Sequence, residues 1–307
     1  MKSVMNKYLL KIVLIIALLI EYCLGAKAQY TYGTTGLLNM PTADMQQDKT
    51  VMIGGGYLDK HTSVARWYYN TFNYYVNVTF FPWLEVSYNL TLVKALPDDH
   101  EKYPKKYWVP RTYGKFVNQD RAFSARLRIW KEGWFREWTP QIVIGMDDIL
   151  SASWAGMSLS SSKGNGFSNR FYISASKHIN IEGAADIGAH VTYMYNNDRW
   201  HYSLNGIGIG ANLRFNFKED NKIKKVTWQK LINGLNLMVE AYPADGKGVW
   251  WIEQKGVDHY DRGLAIGKYD INVGCCYSVW KDYINFYGEL YGCKDFSGGI
   301  QFKLHLK

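Results

Sequence analysis

From Phe72 to Leu92 the chain alternates between apolar and polar positions. Phe72, Tyr74, Val76, Val78 and Phe80 are separated by Asn73, Tyr75, Asn77 and Thr79. After Phe81-Pro82-Trp83, the series Leu84, Val86, Tyr88, Leu90, Leu92 is separated by Glu85, Ser87, Asn89 and Thr91. Successive side chains of a strand point to opposite faces, so a period of two predicts a hairpin with one oily and one polar face. The pattern recurs around Phe123–Trp130, Gln141–Met146, Ile181–Tyr195, Ile207–Phe215, Leu235–Glu240, Asp270–Ser278 and Ile300–Leu306. It predicts twelve strands, at about 50–58, 66–80, 84–93, 121–131, 140–147, 169–177, 180–195, 201–217, 234–242, 268–279, 283–292 and 296–306.

The expected fold is all-β, a single closed antiparallel transmembrane β-barrel. Backbone polar groups find no water inside hydrocarbon, so a spanning sheet must close on itself. Connection lengths fit such a barrel, which has short periplasmic turns and longer outer loops. If the first strand runs outward, the periplasmic links are Phe81–Trp83, Lys131–Thr139, His178–Ile179, Lys218–Asn233 and Trp280–Asp282. Lys218–Asn233 is long for such a link and has room for a short helix. The outer links include Lys94–Asp120, Asp148–Ser168 and Pro243–Gly267. Trp83, Trp130, Trp134, Trp138 and Trp280 then fall at the inner ends, and Trp67, Trp200, Trp250 and Trp251 at the outer ends. Amphipathic rings settle at the two membrane boundaries. The aromatic content of 16%, with 24 Tyr and 12 Trp, has the same explanation.

The first residues read as an export signal. Lys2, Lys7 and Lys11 precede the apolar run Ile12–Ile20, and Ala26-Lys27-Ala28 fits a cleavage site. The run is too short for a membrane helix, which needs roughly 20 apolar residues. Cys23 follows it, but Glu21 and Tyr22 stand where a lipid-attachment signal needs small residues. The expected organisation is a signal peptide at 1–28, an N-terminal non-barrel segment at 29–49, and the barrel at 50–307, in the bacterial outer membrane. Segment 29–49 is neither helical nor alternating, and it can tuck under or into the barrel or act as an N-terminal clamp. The net charge of +9 suits anionic lipopolysaccharide or an acidic polymer better than nucleic acid in an exported chain. Cys275, Cys276 and Cys293 are an odd set with an adjacent pair, not a disulfide framework. No metal-ligand spacing is recognisable, and neither a cofactor nor a metal is expected.

Several segments carry a resemblance. Gly36-Leu37-Leu38-Asn39-Met40-Pro41-Thr42-Ala43 is similar to the opening Gly-Leu-x-x-x-Pro-Thr-Ala signature of the YjbH family of outer-membrane proteins. Ile144-Gly145-Met146-Asp147-Asp148-Ile149 and Phe171-Tyr172-Ile173-Ser174-Ala175-Ser176-Lys177 resemble its central block. Val239-Glu240-Ala241-Tyr242 resembles its acidic strand end, and Asn272-Val273-Gly274 with Tyr277 its penultimate hairpin. The usual glycines after the central Asp are replaced here by Ser151-Ala152-Ser153. The resemblance implies a role in exopolysaccharide production, through export or assembly of extracellular or capsular polymer. The expected partners are outer-membrane lipid and lipopolysaccharide, which the exported barrel and its positive charge imply, with the polysaccharide and export-machinery proteins that the resemblance adds.

Charged residues at mid-depth belong inside, because an Arg or Lys facing lipid costs about 2–4 kcal/mol. The lumen-lining candidates are Glu85, Arg126, Arg128, Glu182, Asp186, His190, Arg214, Glu240 and Glu289. They either fill the barrel with salt bridges or contact a passing polymer. In the outer loop, Lys102, Lys105, Lys106, Tyr107 and Trp108 are carbohydrate-contact candidates, since rings stack on sugars and Lys attracts anions. A catalytic site is not expected. There is no Gly-x-Ser-x-Gly elbow, and His178 and His190 read as ordinary polar residues. The alternatives are a general porin and a lipid-modifying hydrolase, the latter requiring a converging Ser–His pair.

Overall fold

The computed structural model describes residues 33–59, 71–93, 118–147, 170–196, 205–218, 228–243, 263–280 and 282–306. The strands are β1 (Thr50–Leu58), β2 (Thr71–Phe81), β3 (Leu84–Val93), β4 (Asn118–Trp130), β5 (Gln141–Asp147), β6 (Arg170–Ile181), β7 (Ala185–Asn196) and β8 (Gly206–Phe215). After helix α1 (Trp228–Asn233) come β9 (Leu235–Pro243), β10 (Ala265–Ile266), β11 (Tyr269–Val279), β12 (Ile284–Tyr291) and β13 (Asp295–His305). Each long strand pairs antiparallel with the next. β9 pairs with β11, and β13 returns to β1 with Thr50 opposite His305. The result is a closed ring of twelve strands, with the two-residue β10 attached to β11.

Alternation sorts the side chains. Outside lie Ile53, Phe72, Val76, Ile144, Ile173, Val191, Ile209, Val239, Phe286, Phe302 and Leu304, all exposed. Inside lie Asn73, Asn77, Ser87, Ser124, Ser174, Asn236, Asn272 and Gln301, all buried. A soluble protein would reverse this, so the apolar outer face belongs against hydrocarbon. Trp83, Trp130, Trp134, Trp138 and Trp280 are exposed at one end of the ring, where α1 adds the exposed Trp228. This is the end with the short turns, the periplasmic end in the assigned orientation. Trp67, Trp200, Trp250 and Trp251 lie outside the described residues, as does segment 1–28, expected to be a signal peptide.

One turn differs from the expectation. β6 does not stop before His178 but runs on to Ile181, and the chain reverses through Glu182-Gly183-Ala184. Alternation continues outward through Ile179 and Ile181. Gly183 takes a left-handed conformation (φ 72°), and the Ala184 N–H donates to the Ile181 carbonyl at 3.0 Å. Glycine adopts that conformation without steric cost, so the turn sits there.

The exposed face makes a direct prediction. Ile209, near the middle of β8, is flanked by Val191 and Ala241. Ile209→Arg should lower folding stability in lipid vesicles by about 2–4 kcal/mol in a denaturant titration, and Ile209→Leu by less than about 1.5 kcal/mol. Equal effects of the two variants would argue against lipid contact.

Candidate functional site: a lumen filled by the N-terminal segment

Residues 33–46 do not lie outside the ring. Thr34, Thr35, Leu37, Leu38, Asn39, Met40, Thr42, Ala43, Met45 and Gln46 are all buried. The segment enters the lumen, turns, and returns to β1. Its turn is closed by a bridge between Gly36 and Pro41 and by the Leu37 N–H donating to the Met40 carbonyl at 3.0 Å.

Such a segment carries backbone groups that pair neither in a helix nor in a sheet, and buried they must find other partners. The wall supplies them. Glu240 on β9 accepts three consecutive backbone N–H groups, from Leu38 (3.1 Å), Asn39 (2.8 Å) and Met40 (3.1 Å), and the Asn272 side-chain amide at 3.0 Å. Glu85 on β3 accepts the Thr35 N–H at 2.7 Å and the Thr35 hydroxyl at 2.9 Å. Glu289 on β12 accepts the Asn39 side-chain amide at 2.6 Å. On the opposite sign, Arg126 on β4 donates to the carbonyls of Thr35, Thr42 and Asp44. Gln141 donates to the Ala43 carbonyl, and Thr192 to the Pro41 carbonyl at 2.6 Å. Carboxylates thus take the N–H groups of the segment and a guanidinium takes its carbonyls, the division that their chemistry allows.

Apolar packing completes the fit. Leu37, Leu38 and Met40 at the turn pack with Met238 and Cys276 of the wall, with Tyr287 alongside. Gly208 and Gly210 on β8 leave room for the turn. A Cβ at Gly208 would stand 2.7 Å from Met40 Sδ, and one at Gly210 would collide with Leu37 Cδ1. Glycine in this strand marks close approach of another segment.

Toward the periplasmic end the segment meets a second group. Asp44 Oδ1 lies 3.2 Å from His178 Nε2, and Glu132 in the β4–β5 link contacts His178 Nδ1 at 2.8 Å. Glu132 also accepts the His178 backbone N–H at 2.8 Å. Partial burial alone would raise the Glu132 carboxyl. The hydrogen bonds from His178 and Lys177 outweigh it and hold the group below its ordinary value. Elsewhere on the wall, Arg170 pairs with Asp147 at 2.7 Å, and Lys303 with Asp282 at 3.1 Å. Burial pushes the Asp282 carboxyl, in the β11–β12 turn, above its ordinary value against the pull of Lys303.

The expected lining residues divide. Glu85, Arg126, His190, Glu240 and Glu289 are buried in the lumen. Asp186 and Arg214 pair at 2.5 Å, half-buried, and Arg128 is half-buried 3.5 Å from Gln141. Glu182 is not on the lining. It occupies the β6–β7 turn, exposed, 3.0 Å from exposed Lys218, because the hairpin reverses later than the alternation alone suggests. Lys102, Lys105, Lys106, Tyr107 and Trp108 lie outside the described residues. Thr35, Asn39, Asp44, Asp147, Arg170, Asp282 and Lys303 were absent from the expected set. Lys303 carried the signal of a polar position alternating within an oily strand, but the segment's own residues showed no such alternation.

A Ser–His contact is also present. Ser176 Oγ lies 2.8 Å from His190 Nδ1, and His190 Nε2 lies 2.8 Å from Asn212 Oδ1. Ser176 and His190 are 1% and 2% exposed, and Ser176 Oγ accepts the Ala43 N–H at 2.8 Å. With the segment seated, no carbonyl substrate reaches that hydroxyl.

Comparison with known proteins adds the family. Residues 28–306 match YjbH, described as "Exopolysaccharide biosynthesis protein YbjH". The chain belongs to the YjbH family. The "Uncharacterized lipoprotein YjbH" of Escherichia coli (strain K12) is 30% identical over 123 residues, 40% of this chain. That stretch is 14% of the E. coli protein, so this YjbH-family chain matches a small part of its relative. Among solved structures, the KdgM porin overlays with a TM-score of 0.42 at 12% identity, covering 83% of this chain and 99% of the porin. The COG4313 outer membrane channel from Pseudomonas putida F1 gives 0.41 at 9% identity, covering 87% and 98%. LpxR from Salmonella typhimurium gives 0.38 at 15% identity, covering 82% and 99%. The closed hydrogen-bonded ring and its oily exterior, rather than these overlays, establish the membrane barrel.

Proposed function

We propose that the protein is a non-enzymatic component of extracellular or capsular polysaccharide export or assembly in the bacterial outer membrane, and that its barrel is closed at rest by its own N-terminal segment. The observation that carries this reading is the seating of residues 33–46 in the lumen by Glu85, Arg126, Glu240 and Glu289. A general porin keeps its lumen open to solutes, so a filled lumen weighs against that alternative. The polysaccharide assignment draws its support from the family description.

Two measurements test it. Deleting the gene should reduce secreted polymer, and unchanged polymer would remove the role. In planar bilayers the intact protein should be silent, whereas a variant lacking residues 33–48 should pass ions. Steady large conductance from the intact protein would favour the porin instead. The Ser176–His190 contact favours a second reading, a hydrolase uncovered when the segment moves. Fluorophosphonate labelling of Ser176 in the purified protein would support it, and its absence in the segment-deleted variant would dismiss it.

A further inference from the structure

Asp44 is far in sequence from His178 and His190, which are diagonal neighbours across the β6–β7 hairpin, yet one ligand atom of each of the three lies within 4.8 Å of the others. We propose that these three residues form a site for a divalent transition metal of the zinc type, bridging the lumenal segment to the barrel wall. The inference rests on the reading of residues 33–46 as a lumenal plug, because Asp44 belongs to that segment while His178 and His190 belong to β6 and β7.

The donor set is two imidazoles and one carboxylate, the nitrogen–oxygen combination that binds zinc and its neighbours rather than calcium or magnesium. The Asp44–His178 separation of 3.2 Å matches two donors sharing one ion at about 2.0–2.2 Å each. A second feature points to a ligand. A metal-binding histidine usually gives its other ring nitrogen to a carboxylate, which fixes its orientation. His178 turns Nε2 toward Asp44 and holds Glu132 Oε2 at Nδ1, 2.8 Å away. Glu132 is fixed in turn by the His178 backbone N–H and by Lys177 Nζ at 3.0 Å. His190 has Ser176 at one nitrogen and Asn212 at the other, so the nitrogen that turns to the ion gives up one partner and the ring keeps the second. The site is reachable: the side chains of His178 and Asp44 are 34% and 18% exposed, whereas His190 is buried. Three protein donors leave a fourth position for water, or for the Ser176 hydroxyl beside His190. An ion here would fasten the segment at its periplasmic end, where Arg126 also donates to the Asp44 carbonyl.

The test uses the full chain purified in detergent, stripped with a chelator and titrated with Zn²⁺ by calorimetry. Co²⁺ absorption would report the geometry. One ion per chain is expected, with a raised unfolding temperature. Asp44→Asn and His178→Ala should each abolish stoichiometric binding, and Glu132→Gln should weaken it by about 10-fold. His305→Ala, remote from the cluster, should bind normally and serves as the folding control. Heat-modified gel mobility verifies that each variant is a folded barrel. Absence of stoichiometric binding to the folded protein would overturn the proposal, as would binding that survives Asp44→Asn. Conductance is a separate readout: a silent intact barrel that binds no zinc removes the metal site and leaves the closed-lumen reading standing.

Discussion

Glu240→Leu should release the lumenal segment more completely than any other single substitution in the barrel. Glu240 accepts three successive backbone N–H groups and the Asn272 amide from a position 1% exposed. Leucine fills a similar space but removes the carboxylate acceptor of four buried donors. An unsatisfied buried polar group costs about 1–3 kcal/mol, so the seated state should lose roughly 3 kcal/mol or more. The alternative for the chain is to leave the lumen and hydrate those groups. The expected results are channel openings in a planar bilayer where the parent is silent, and faster proteolysis near Asp44. Glu240→Gln keeps one carbonyl oxygen as acceptor and should give a smaller effect. Indistinguishable recordings from parent and Glu240→Leu would show that this carboxylate does not hold the segment.

Arg126→Leu should have the second largest effect, by a different route. The guanidinium reaches three carbonyls of the segment and lies 4.0 Å from the Glu85 carboxylate, with both side chains fully buried. Removing it strands the Glu85 charge as well as the carbonyls. Breaking a buried pair from one side costs about 3–5 kcal/mol. Denaturant titration in micelles should therefore show a loss of that size. Adding Glu85→Gln should recover part of it, because the stranded charge is then gone and the two sites share a network. Arg126→Lys keeps the charge but lacks the planar fork, so an intermediate loss is expected. Strict additivity of Arg126→Leu and Glu85→Gln would contradict the coupling.

The two substitutions also mark the limit of reading this chain without coordinates. Alternation identifies the faces of β2 and β3 residue by residue, because in a lipid-facing barrel a side chain pointing the wrong way is costly. The same rule selects Glu85, Arg126, Glu240 and Glu289 as inward. It fails at Glu182, where a left-handed glycine, not face polarity, decides where the hairpin turns. It is silent on the segment 33–48, whose conformation obeys no local period. That segment is held by residues about 200 positions away, as with Asn39 and Glu240. A family signature such as Gly36 to Ala43 marks it as notable, but only the geometry explains the spacing. Gly36 and Pro41 close the turn, the N–H groups of Leu38 to Met40 face one carboxylate, and the Ala43 N–H meets Ser176.

The seating of that segment explains the inner face of the barrel. An empty lumen would let water satisfy Glu85, Arg126 and Glu240, and no particular arrangement of them would be required. A filled lumen requires acceptors where the segment presents N–H groups and donors where it presents carbonyls, and the wall provides both. The Asp44–His178–Glu132 chain extends the same logic to the periplasmic rim.

Crosslinking tests this most directly. Ala43→Cys and Ser176→Cys, in a background without the native cysteines, bring together two positions whose backbone nitrogen and hydroxyl are 2.8 Å apart. In intact outer membranes, mild oxidation or a short thiol crosslinker should join them in most molecules, giving a looped species of altered gel mobility. A pair that stays unjoined while the barrel is folded would place residues 33–46 elsewhere and contradict the account.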